Sequence, residues 1–95
     1  MENNFRVNCL KEVSSFLKNN SISFKKNLIN GKNEDYYLLN FISQKGNEID
    51  IYVYVDEAGI MINKKRWIIC ERPQYRNDDN LINAFILMLR KEIMK

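Results

Sequence analysis

Residues 49–55, Ile-Asp-Ile-Tyr-Val-Tyr-Val, alternate without a break between aliphatic and non-aliphatic side chains. Successive side chains of a β-strand point to opposite faces of a sheet. The segment therefore reads as a strand with one aliphatic row, Ile49, Ile51, Val53 and Val55, and a second row holding Asp50, Tyr52 and Tyr54. The aliphatic row is expected to face the core. The tyrosine row has three destinations open to it: beneath another layer of the same chain, against a second copy, or against a different protein.

The neighbouring segments extend this pattern into a sheet. Residues 35–43 form the preceding strand, its partner runs over residues 47–55, and Gln44-Lys45-Gly46 between them fits a three-residue hairpin loop whose glycine takes the left-handed position. That loop sets Phe41 opposite Ile49, Leu39 opposite Ile51 and Tyr37 opposite Val53 on the apolar face. On the other face it pairs Asn40 with Asp50, Leu38 with Tyr52 and Tyr36 with Tyr54. The next turn, Asp56-Glu57-Ala58-Gly59, is expected to pair Val55 with Ile60 and Val53 with Ile62, which adds Met61 to the tyrosine side. Beyond Asn63, Lys64-Lys65-Arg66 either continues the strand, with Lys65 opposite Asp50, or turns into a separate strand over 67–71. The turn is preferred, because charged residues would otherwise interrupt the core row. Pro73 closes the sheet region. Upstream, Ile22, Phe24, Leu28 and Ile29 predict a short first strand that ends at the turn-rich residues 30–33.

Two helices flank these strands. Phe5, Cys9, Leu10, Val13, Phe16 and Leu17 recur at helical spacing over residues 3–18, and Asn19-Asn20-Ser21 should end that helix through an asparagine in the left-handed conformation. Asn77 is a good N-cap for a second helix, with Asp78 and Asp79 at its positive end and Arg90, Lys91 and Lys95 at its negative end. Its stripe of Leu81, Ala84, Phe85, Met88 and Leu89 is widened by Ile82, Ile86 and Ile93, enough to contact two surfaces. The expected fold is α+β over residues 1–95: an N-terminal helix, a four- to five-stranded antiparallel meander, and a C-terminal helix.

Composition narrows the chemistry. The chain contains no histidine, so the commonest general base, metal ligand and partner of a catalytic serine or cysteine is missing. The two cysteines, Cys9 and Cys70, stand apart at expected core positions, which predicts reduced thiols in a cytoplasmic protein and no zinc ribbon or redox pair. No phosphate-binding glycine loop or nucleophile elbow occurs. Glu48, Asp50, Asp56 and Glu57 are read as solvated strand and turn residues. No enzyme activity, cofactor or metal is expected. The first thirteen residues lack the character of a signal peptide and no segment is long and apolar enough for a membrane helix, so no membrane association is expected. Abundant Asn, Lys and Ile fit an AT-rich coding sequence, as in a low-GC bacterium or its phage.

Two surfaces remain as binding candidates. The first is the tyrosine side, Tyr36, Leu38, Tyr52, Tyr54 and Met61, with Asp50, Lys64, Lys65 and Arg66 at its rim. Tyrosine offers a large rigid contact with a polar tip, so this face is expected to bind a protein partner, as an inhibitor of the toxin-immunity or phage anti-defence type would. A homodimer is the alternative use of the same face. The second candidate is Lys64-Lys65-Arg66 followed by Trp67, joined by Lys25, Lys26, Arg72 and Arg76, where cations beside an aromatic ring could hold a nucleic acid. The helix–strands–helix order is shared in outline with double-stranded RNA-binding domains. Their second helix opens with clustered lysines, whereas residues 77–80 here carry two aspartates, which would repel a phosphate backbone, so the outline supports no assignment.

Overall fold

A computed structural model describes residues 5–94. Helix α1 (Phe5–Asn19) is followed by strands β1 (Lys25–Asn30), β2 (Asp35–Ile42), β3 (Glu48–Val53), β4 (Ala58–Ile62) and β5 (Arg66–Cys70). A 3₁₀ turn (Arg72–Gln74) then leads into helix α2 (Asp78–Ile93). The strands form one antiparallel sheet in sequence order. This is the α+β fold read from the sequence, although the predicted start of α1 at residue 3 lies outside the described residues.

Both helices cover the same face of the sheet. Phe5, Cys9, Val13, Phe16 and Leu17 of α1 and Leu81, Ile82, Phe85, Leu89 and Ile93 of α2 are buried with Leu39, Phe41, Ile49, Ile51, Val53, Ala58, Ile60 and Cys70. The wide stripe of α2 does meet two surfaces, α1 on one side and β4 with β5 on the other. Both are within the chain. The two buried cysteines are free thiols.

Local chemistry explains the element ends. Helix α1 closes with Ser21, not an asparagine, in the left-handed region (φ 58°). The Ile22 amide donates to the Leu17 carbonyl (2.9 Å) and the Ser21 amide to that of Lys18 (3.0 Å), a Schellman pair. Asn20 contributes differently: its side-chain amide donates to the Phe16 carbonyl (2.8 Å). At the start of α2, the Asn77 side chain accepts from the Asn80 amide (2.9 Å) as the sequence predicts.

The β2–β3 hairpin has the predicted register, from Tyr37↔Val53 to Phe41↔Ile49, and Gly46 takes the left-handed position (φ 85°). The β3–β4 register differs from expectation. Val53 pairs with Ala58, Ile51 with Ile60 and Ile49 with Ile62, so the loop is residues 54–57 and Ala58 and Gly59 are strand residues. Both registers preserve parity, so hydrophobic patterning alone does not separate them. The Tyr54 amide donates to the Glu57 carbonyl (2.9 Å) and closes the observed loop, while Val55, expected in the core, is exposed with its amide donating to Glu34 Oε1 (2.9 Å). Asn63 and Lys64 both have positive φ, and the Lys65 amide donates to the Ile62 carbonyl (3.0 Å). Residues 63–65 are therefore a turn, and β5 is a separate strand.

Candidate functional site

The face opposite the helices carries the tyrosine row. In the β2–β3 ladder Leu38 lies across from Tyr52, and Tyr36 and Tyr54 extend the same side at the end of the hairpin. The ring centroids of Tyr36 and Tyr54 are 5.2 Å apart, those of Tyr36 and Tyr52 5.8 Å, and those of Tyr52 and Tyr54 6.1 Å. These separations are those of favourable aromatic pairs. Each of the three tyrosines is half-buried by its neighbours, and none belongs to the core under the helices.

Trp67 extends this group to a third strand. Its ring meets Tyr52 edge-on (5.3 Å between centroids, 78° between planes) and lies across Gly59. A Cβ on Gly59 would stand 2.4 Å from the Trp67 ring, so the glycine makes the bed in which the indole rests. Tyr52 pairs with Gly59 and Met61 with Trp67, which places all four on one face. Trp67 retains 40% of its surface exposed. From the sequence alone, Trp67 groups with the basic cluster and Gly59 with a turn. Parity counted from a turn at 63–65, together with a glycine placed within the strand opposite a tyrosine, is the signal that joins Trp67 to the tyrosines.

The charged residues expected at the rim have separate positions. Asp50 is buried (1% exposed) and accepts from Lys64 Nζ (2.7 Å) and the Asn40 side-chain amide (2.6 Å). Its place is beneath the rim, not on it. Lys64 is exposed, with its ammonium also 3.7 Å from Glu48, and its pKa is raised chiefly by the hydrogen bond to Asp50. Lys65 is exposed in the turn. Arg66 pairs with Ile62 and so lies on the helix side, where it forms an ion pair with Glu92 of α2. The basic cluster is thus split between the two faces of the sheet. Arg72 lies outside that cluster, over the Phe5 ring and paired with Asp78 (2.6 Å).

The opposite end of the open face is acidic. Glu34, Glu57 and Glu71 continue the parity of the aromatic row beyond β2, β4 and β5, with Asp56 in the adjoining loop. Burial raises the pKa of Glu57, and Asp56, Glu71 and Glu34 raise it further. Burial likewise raises the Tyr54 phenol, with contributions from Tyr36, Tyr52, Glu34 and Glu57. Tyr52 is raised by burial and then by Asp50. Tyr52 and Tyr54 therefore present neutral hydroxyls at physiological pH.

No described helix is long and apolar enough to cross a membrane. The architecture is thus a two-layer α+β domain whose helices occupy one side of the sheet and whose other side presents a continuous aromatic ridge. Comparison with protein-family models, curated proteins and solved structures found no match to the chain.

Proposed function

We propose that this is a small non-enzymatic binding protein that occludes a protein target with the open face of its sheet, in the manner of a toxin-immunity or phage anti-defence inhibitor. The observation that carries the proposal is the ridge Tyr36–Tyr54–Tyr52–Trp67 on the side away from both helices. Large rings held rigid by one another lose little conformational entropy on docking, and aromatic anchors of this kind supply much of the energy of protein interfaces. Leu38 and Met61 fill the ridge's flanks. Lys64 and Lys65 at one end contribute to encounter rate and orientation, and Asp50 acts indirectly by holding Lys64 in place.

The test is the double substitution Tyr52→Ala/Tyr54→Ala. Co-elution with the target purified from the native host should be lost while the circular dichroism spectrum stays that of the folded parent, the thermal midpoint falling only through the ring contacts that the two substitutions remove. Co-elution retained by the folded double variant would overturn the proposal. The nucleic-acid alternative has less support, because Arg66 is paired on the helix side and Lys64 is held by Asp50. Gel shifts with generic DNA and RNA at low salt are expected to show no complex. Light scattering that showed a dimer lost in the same double variant would reassign the face to self-association.

A further inference from the structure

Resting on the reading of the open face as a protein-binding surface, we infer that its acidic end is a socket for a single arginine or lysine side chain of the partner, held between the Tyr36 and Tyr54 rings and the Glu34 and Glu57 carboxylates. A cleft of about 260 Å³ opens there, between the 31–34 loop and the 54–57 loop. Its volume falls below the roughly 300–1,000 Å³ typical of sites for free small molecules, so it suits one long side chain. Two of its walls are the Tyr36 and Tyr54 rings, 49° apart in plane. Aromatic faces attract cations through the ring quadrupole.

The charge around the cleft selects the same occupant. Among the described residues, none of Glu34, Asp56, Glu57 and Glu71 takes part in an ion pair, although the chain as a whole carries a net charge of +3. Lys32 also lines the cleft, yet it is exposed and makes no ion pair among those residues. Burial is the larger cause that pushes the Glu57 carboxyl up, and the smaller contribution from Asp56, Glu71 and Glu34 is the part an incoming cation would offset. Among the described residues these carboxylates form no group of three or more that could hold a metal ion.

Gly31 keeps the cleft open. A Cβ there would stand 2.4 Å from the Glu34 carbonyl and 3.3 Å from the Tyr36 ring, so a larger residue would shift the loop that forms one wall. Glu34 is oriented by the Val55 amide, which uses one of its oxygens and leaves the other for a ligand.

The experiment is an NMR titration of ¹⁵N-labelled protein with the capped peptide Ac-Gly-Arg-Gly-NH₂ against its citrulline counterpart, which keeps the size and hydrogen-bonding groups but removes the charge. Saturable shifts of residues 31–34 and 54–57 are expected with the arginine peptide, and binding about tenfold weaker with citrulline, the scale of a cation–π contact plus a partly shielded ion pair. The Glu57 carboxyl should titrate at lower pH when the arginine peptide is bound. In the double variant Glu34→Gln/Glu57→Gln, the side-chain carbonyl introduced at position 34 can still accept from the Val55 amide, and the preference for arginine should vanish. Equal binding of both peptides, shifts centred on Trp67 and Met61, or no shift with either peptide would each overturn the socket. Should the double variant fail to fold, the two-peptide comparison on the parent protein still decides. The complex with the natural target tests the whole face separately, so a failed socket leaves the outcome of Tyr52→Ala/Tyr54→Ala as an independent result.

Discussion

At the scale of single residues, the open face depends on a contact between a glycine and the only tryptophan. Gly59 lies beneath the Trp67 ring, and the nearest ring atoms are the far end of a side chain already 40% exposed. A methyl group at position 59 would therefore lift the indole toward solvent and leave the backbone in place. Gly59→Ala is expected to cost about 1 kcal/mol, at the low end of overpacking effects, because the obstructing ring can move away. The measurement is tryptophan fluorescence with a parallel denaturation curve: emission should shift to the red and the ring contact with Tyr52 should weaken. An unchanged spectrum would mean that Trp67 does not rest on Gly59. Because Trp67 is the single tryptophan, the same signal reports directly on occupation of the aromatic ridge.

At the scale of elements, legibility follows how local the decisive interaction is. The β2–β3 hairpin was readable because Gly46 marks a left-handed position next to two long alternating strands, and only one register satisfies both. The Asn77 cap was readable for a similar reason, since its partner Asn80 is three residues away. The β3–β4 register was not, because the expected and the observed pairings keep the same parity, so the pattern does not separate them. The binding face divides in the same way. The tyrosine row followed from parity, whereas the place of Trp67 required knowing where the 63–65 turn begins, and the burial of Asp50 required knowing that Lys64 folds back over β3. A helix cap offers a quantitative check at this scale. Asn77→Ala removes the acceptor for the Asn80 amide and should cost about 1 kcal/mol, which for a domain of this size lowers the thermal midpoint by roughly 4–8 °C. Calorimetry would measure it, and a midpoint unchanged within error would show that the cap contributes nothing to the docking of α2.

At the scale of the whole molecule, the core makes stability fall on the alkaline side. Cys9 is fully buried, and desolvation, followed by the influence of Cys70 and Glu12, raises its thiol from 9.0 to about 12. Burial also raises Cys70, against a hydrogen bond from Tyr75 that opposes the shift. A group whose folded-state pKa exceeds its unfolded value favours folding fully below the unfolded value and loses that contribution as pH rises between the two. For Cys9 the loss begins near pH 9 and continues toward 12. At about 1.36 kcal/mol per unit, it should reach on the order of 2 kcal/mol by roughly pH 10.5. The Lys64–Asp50 ion pair does not enter this window, because Lys64 is held above its ordinary 10.5 and deprotonates later. Tyr52 and Tyr54, raised from 10.0, add their own loss mainly above that pH. Urea midpoints of the parent protein are therefore expected to be level to about pH 9 and then to decline, and Cys9→Ala, less stable at neutral pH through lost packing, should decline less steeply between about 9 and 10.5. Parallel curves for the two proteins would place the alkaline sensitivity elsewhere than in the buried thiol beneath α1.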